Sequence, residues 1–131
     1  MKGYNSNIEK ETLENDHFRK VLYTGKHLQL VLMSLKAGEE IGEETHKEND
    51  QFFRFESGNG KCVIDGNNYQ VTDGDVIIIP AGARHNVINT GEKELKMYTI
   101  YAPPHHKDGI IRRTKKEAED KPEEFDGKTT E

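Results

Sequence analysis

The stretch that decides the fold is GDVIIIPAGARHNVIN, which runs from Gly74 to Asn89. Its first half is a short run rich in β-branched residues, and we expect Val76–Ile79 to form a buried strand. Pro80 then removes a backbone donor and Gly82 permits a sharp turn, so the strand ends there. The stretch therefore predicts a strand, a tight Pro-Ala-Gly turn, and a second strand whose residue His85 points inward.

Similar short segments fill the chain on both sides of this stretch. The turns between them contain glycine or asparagine, and the segments are rich in β-branched and aromatic residues. Regularly spaced short strands of this kind favour an all-β sandwich or barrel. The other predicted strands are Phe18–Tyr23, Leu28–Leu35, Glu43–His46, Gln51–Glu56, Lys61–Ile64, Tyr69–Val71, Arg84–Ile88 and Leu95–Tyr101.

Helix is predicted only near the two ends of the chain. Ser6–Asn15 predicts a short helix with Ser6 and Glu9 as a capping box, and Thr114–Asp120 predicts another that begins at its own threonine cap. From Lys107 onward 15 of 25 residues are charged, too many for a segment that buries apolar surface. We predict one domain in three parts: residues 1–27, an N-terminal segment with the first strand; residues 28–103, the barrel core; and residues 104–131, a charged, partly ordered tail.

Composition excludes several classes of function. The 131-residue chain has a net charge of −5, and its basic residues are interspersed with acidic ones, so nucleic acid is not an expected partner. No apolar run is long enough to cross a bilayer, and the N-terminus lacks the apolar region of a signal peptide. We therefore expect no membrane partner and a cytoplasmic location. Cys62 is the single cysteine and is expected to be a strand residue rather than a nucleophile.

Four side chains are candidates for a metal site. Glu44 and His46 are two residues apart, so on a strand they share a face. Gln51 opens the next predicted strand, and His85 follows the Pro-Ala-Gly turn. Carboxylate, imidazole and amide groups that converge inside a narrow barrel suit a divalent metal ion such as Fe(II), Mn, Ni or Zn.

The spacing of the deciding stretch resembles the second conserved motif of the cupin superfamily. That motif has Gly, Pro, Gly, His and Asn at fixed intervals, and here Gly74, Pro80, Gly82, His85 and Asn89 match every position. The resemblance covers about residues 28–103. It implies a single-domain cupin β-barrel, also called a double-stranded β-helix or jelly roll.

The first cupin motif is matched in spacing but not in chemistry. Gly38 and Gly58 frame it at the expected intervals, and His46 stands at its second histidine. Glu44 replaces its first histidine, and Gln51 replaces its usual glutamate. The resemblance therefore implies a set of two histidines and one carboxylate, with the glutamine as a weaker fourth ligand.

Two other interpretations of the site remain open. A shifted register would use His46, Glu48 and Asp50 as ligands, but it breaks the spacing to both framing glycines. In the preferred register, residues 47–50 form a solvated loop. The other interpretation is a metal-free barrel whose polar groups are hydrogen-bonded to one another, because an amide oxygen is a poor ligand.

The resemblance implies a metal-dependent dioxygenase, isomerase, epimerase or lyase that acts on a small polar or aromatic molecule. Glu44, Gln51 and Tyr101 are the candidate catalytic residues, the tyrosine because it shares the inward face of the last strand. The alternative is a non-enzymatic ligand-binding or sensor barrel with a structural metal or none. His105 and His106 could rim the pocket, although a solvated loop is the preferred interpretation.

One surface is predicted to form a homodimer. Phe52 and Arg54 lie on the strand face opposite Gln51, and an exposed aromatic residue beside an arginine is typical of an interface. We expect this face, together with the N-terminal segment, to form a symmetric contact between two copies.

Overall fold

Ten strands and two short helices make up the fold, in a computed structural model that describes all 131 residues. No helix in it is long and apolar enough to cross a membrane. The elements are α1 (Ile8–Glu14), β1 (Arg19–Thr24), β2 (Gln29–Leu35), β3 (Glu44–Thr45), β4 (Asp50–Ser57), β5 (Gly60–Ile64), β6 (Asn67–Val71), β7 (Val76–Ile79), β8 (Arg84–Asn89), β9 (Leu95–Ala102), β10 (Ile111–Arg112) and α2 (Lys115–Asp120).

The strands form two antiparallel sheets that enclose the core. The six-stranded sheet has the order β10-β1-β2-β9-β4-β7, and the four-stranded sheet has the order β3-β8-β5-β6. All nine predicted strands are present, with ends within two residues of the prediction. The all-β barrel prediction is therefore confirmed.

The prediction that β7 is a buried strand is wrong. Ile77 and Ile79 face the core, but Val76 and Ile78 are 44% and 63% exposed. The physical reason is that only the inner face of the six-stranded sheet packs on the core, so alternate residues of the edge strand β7 lie on the uncovered outer face. A continuous run of isoleucine and valine does not reveal which residues face outward.

The interior changes in character along the barrel. Phe55, Met97 and Met33 lie opposite one another on β4, β9 and β2, and all three are buried in the apolar core. Four residues further along β9, Tyr101 lies opposite Gln51 and Gln29, and these polar side chains are also buried. The fold thus builds one apolar end and one polar end.

Caps and turns fix the ends of several elements. The side chain of Asn7 accepts from the backbone N–H of Lys10 and caps α1, so the prediction that Ser6 and Glu9 form the capping box is wrong. Asparagine is as good an N-cap as serine, which allowed the one-residue shift. Thr114 caps α2 as predicted, because its hydroxyl accepts from the backbone N–H of Glu117 at 3.1 Å.

The charged C-terminal segment lies along the barrel. Its strand β10, which was not predicted, pairs with β1. Further on, the backbone N–H of Phe125 donates to the carbonyl of His105 at 3.0 Å, and that of Thr130 donates to the carbonyl of Thr24 at 2.9 Å. Hydrogen bonds and ion pairs hold this segment in place, and composition alone does not predict such contacts.

Candidate metal centre

Three of the candidate ligands lie together at the polar end of the barrel. Glu44 on β3 is the direct ladder partner of His85 on β8, and His46 follows β3 directly. One ligand atom from each of the three lies within 4.8 Å of the others. His85 is 4% exposed, whereas the side chain of Glu44 is 34% exposed. The cluster is therefore buried on the histidine side and open to solvent on the carboxylate side.

His85 is held in the orientation of a metal-binding histidine. Its Nδ1 lies 3.0 Å from the carbonyl oxygen of Ala83. Since a carbonyl can only accept, Nδ1 carries the proton and the lone pair lies on Nε2. That Nε2 is buried and has no hydrogen-bond partner. A backbone acceptor on one ring nitrogen and a free lone pair on the other is the usual environment of a histidine ligand.

The contact between Glu44 and His46 suits a shared cation. Oε2 of Glu44 lies 2.8 Å from Nε2 of His46, but this nitrogen has no aligned hydrogen-bond partner. Burial alone would raise the pKa of Glu44. The contact with His46 and the positive charge of Arg19 outweigh burial, so the pKa of Glu44 is lowered. At neutral pH it is a carboxylate anion.

Gln51 lies at the polar end of the barrel, opposite Tyr101 on β9. Its Nε2 donates to the hydroxyl of Thr99 at 3.0 Å, while its Oε1 is buried without a partner. Gln51, His46 and His85 therefore each have one buried side-chain atom without an aligned hydrogen-bond partner, and that of His46 lies against the carboxylate of Glu44. Leaving the atoms of Gln51 and His85 unpaired costs about 1 to 3 kcal/mol each, and a cation held by Glu44, His46 and His85 would remove the cost at His85. This donor set fits a divalent metal and argues against a barrel whose polar groups satisfy one another.

The shifted register does not form a cluster. The carboxylate of Asp50 accepts from the backbone N–H of Ala81 at 2.9 Å, so it holds the Pro-Ala-Gly turn. Glu48 is exposed and does not join the metal-ligand cluster. The prediction that residues 47–50 form only a solvated loop is also wrong, because Asn49 is buried and its side chain donates to the carbonyl of Pro103.

Two histidines that were predicted to lie in a solvated loop instead form a wall of the site. The ring centroid of His105 lies 4.3 Å from that of His46, and His106 is 5% exposed. The reason is Gln29, whose Oε1 accepts from the backbone N–H groups of both residues at 3.1 and 2.9 Å. The Pro103-Pro104-His-His sequence directly after an inward-facing strand is the one signal that could have indicated this.

Tyr101 lies between the metal cluster and this histidine wall. Its ring centroid is 5.8 Å from that of His46, and its hydroxyl donates to Nε2 of His106 at 3.2 Å. Burial raises the pKa of Tyr101, so the phenol is protonated. Burial lowers the pKa of His105 to about 4 and also lowers that of His106, where it outweighs the contact with Glu123. Both imidazoles are therefore neutral at pH 7.

A second depression in the surface lies at the opposite end of the barrel. It has a volume of about 500 Å³ and is lined by the turns at residues 57–59, 72–73 and 91–93, none of which contributes a hydrophobic side chain. It contains no histidine and is separate from the polar end described above.

Residues 31–101 match the family model described as the cupin domain. The match covers more than half of the chain, and the chain belongs to the cupin family. The resemblance seen in the sequence motifs is thereby confirmed.

Similar proteins occur in bacteria and in a virus. The chain is 49% identical to the protein YrkC of Bacillus subtilis (strain 168) over 118 residues, which are 86% of this chain and 63% of YrkC. It is 44% identical to the protein L612 of Acanthamoeba polyphaga mimivirus over 112 residues, 82% of this chain and 70% of L612. The crystal structure of BH2720 from Bacillus halodurans has 45% identity and a TM-score of 0.89, and the match covers 90% of this chain and 94% of that one. The chain thus spans less than two thirds of the length of YrkC.

Proposed function

We propose that this protein is a metal-dependent enzyme that acts on a small polar or aromatic molecule. Glu44, His46 and His85 would hold a divalent metal ion, with the amide oxygen of Gln51 as a weaker fourth ligand. The observation that carries the proposal is the set of buried donor atoms without partners at the polar end of the barrel. Two neutral imidazoles and one carboxylate are a ligand set that divalent first-row metals favour.

The open side of the cluster supports a catalytic role over a structural one. Structural metal sites are enclosed by four strong protein ligands, whereas catalytic sites keep a position free. Here three strong ligands are present, and the side chain of Glu44 is 34% exposed. A bound metal would supply Lewis-acid chemistry, or oxygen binding if it is iron. Tyr101 and His105 border the cluster and would orient the substrate by hydrogen bonds.

Metal analysis of protein purified without chelator tests the proposal. Wild type should contain near-stoichiometric metal, and Glu44→Ala and His85→Ala should each lose most of it. His27→Ala is the matched control, since His27 is exposed and lies outside the cluster, and it should keep its metal. Full metal content in both site variants would refute the site. Wild type that binds metal but turns over none of a panel of small polar and aromatic substrates would favour the non-enzymatic ligand-binding alternative.

A further inference from the structure

We propose that Arg19 forms a binding site for a carboxylate group of the small-molecule ligand, beside the metal centre. The inference rests on the proposed function and adds to it the chemical class of the ligand, a small organic acid.

Arg19 is a buried guanidinium that is only partly paired. It lies on β1 opposite Met33, so its side chain points into the barrel, and that side chain is 11% exposed. Its Nε is buried and has no hydrogen-bond partner. The carboxylate of Glu123 is 3.9 Å from Nη1, which is too far for a hydrogen bond. Buried arginines are normally held by several hydrogen bonds, so this one has donors to spare.

A short chain of contacts connects Arg19 to the metal centre. Glu123 accepts from Nδ1 of His106 at 2.9 Å, and Nε2 of His106 accepts from the hydroxyl of Tyr101. The ring of Tyr101 in turn lies beside that of His46. Arg19 and the metal centre therefore border one continuous network of side chains, formed by Glu123, His106 and Tyr101.

The charged side chains around Arg19 carry more positive than negative charge. Arg19 on β1 is the ladder partner of Arg112 on β10. Nη2 of Arg112 donates to the carboxylate of Glu123 at 3.2 Å. Two guanidinium groups therefore face a single carboxylate. A divalent metal held with Glu44 as its one anionic ligand would add a further net positive charge. Because uncompensated charge is costly in a buried site, an acidic ligand would be favoured over a neutral one.

Glu123 indicates which anion fits. It belongs to the C-terminal segment, and its carboxylate already lies against Arg19, Arg112 and His106. The contacts with His106 and the two arginines outweigh burial and lower the pKa of Glu123. The geometry thus accepts a planar carboxylate, and Glu123 would compete with a ligand for the guanidinium groups.

Calorimetric titration with malonate, and with its uncharged diamide malonamide, tests the site on metal-loaded protein. Wild type should bind malonate at least roughly tenfold more tightly than malonamide. Arg19→Gln should bind malonate at least roughly tenfold more weakly than wild type. Glu123→Gln, which removes the competing carboxylate, should bind malonate more tightly than wild type. Arg113→Gln removes the same charge from an exposed neighbour and should behave as wild type.

Metal content and circular dichroism of each variant separate the possible failures. If wild type and Arg19→Gln contain equal metal and bind malonate equally, the carboxylate site is overturned while the metal centre stands. If the protein holds no metal but malonate still binds to wild type and not to Arg19→Gln, the carboxylate site stands and the proposed function falls. If Arg19→Gln does not fold, Arg19→Lys and Glu123→Gln decide, and wild-type affinity in both overturns the proposal.

Discussion

The two ends of the barrel interior are built from the same strands but hold different kinds of side chain. At one end Phe55 and Met97 face each other across β4 and β9 and have no exposed surface. At the other end Gln51 and Tyr101 occupy the equivalent cross-strand positions, and unpartnered polar atoms cluster around them. The apolar end stabilises the fold. At the polar end, unpartnered donor atoms lower the free energy of unfolding but are available to bind a ligand. Mutations at the two ends should therefore affect different properties.

The largest effect on stability is expected from the apolar end. Phe55→Ala should lower the free energy of unfolding by about 3 to 5 kcal/mol, because it removes a fully buried ring and leaves a cavity. Urea unfolding followed by circular dichroism measures this, and metal content per folded chain should not change. Phe52→Ala, on the outer face of the same strand and half-buried, is the matched control with a smaller loss. A loss of metal from folded Phe55→Ala would contradict the division between the two ends.

The next largest effect on stability should come from metal binding. A ligand that binds only the folded state stabilises it, by about 2.7 kcal/mol at a concentration one hundred times its Kd. Chelator should therefore lower the Tm of wild type, and divalent metal should restore it. His85→Ala should show neither change, because it removes a buried lone pair of the cluster. A Tm in wild type that does not respond to chelator or to added metal would count against the centre.

A smaller effect on stability, together with a loss of metal affinity, is expected at Gln51. Gln51→Leu replaces an amide whose oxygen has no partner with an apolar side chain of similar size. Metal-free protein should change in stability by no more than about 1 kcal/mol, because removal of the unpartnered oxygen offsets the lost hydrogen bond to Thr99, while metal affinity falls. Thermal unfolding with and without chelator measures both. Should the variant lose stability in the absence of metal and keep full metal affinity, Gln51 would be a structural residue only.

The sequence predicted the parts of the molecule that depend on local pattern. Strand positions follow from turn residues and β-branched segments, and Glu44, His46 and His85 converge because alternation and ladder pairing bring them together. The other wall of the site depends on contacts between distant parts of the chain. Gln29 holds His105 from 76 residues away, and Glu123 on the C-terminal segment is the partner of Arg19. Nothing in the local pattern around these residues indicates their partners.

The outer face of the six-stranded sheet offers a second contrast, between a covered part and an open part. Helix α1 covers one part, where Leu32 is 1% exposed. The open part lies along the edge strand β7, where Ile78 is 63% exposed beside its ladder partner Phe52. Phe52 in turn packs near Tyr98, with ring centroids 6.2 Å apart. An apolar surface next to an unpaired strand edge favours self-association, so we propose a homodimer through this face.

Ile78→Lys should test the dimer with almost no effect on the fold. The substitution is on the surface, so the free energy of unfolding of the monomer should change by no more than about 0.5 kcal/mol. A buried lysine in a symmetric contact would be costly, because each copy would bring its charge against the other. Light scattering at micromolar concentration should therefore give a dimer for wild type and a monomer for the variant. Tyr69→Lys, at an exposed position on the other sheet, should remain dimeric, and a monomeric wild type would rule the interface out.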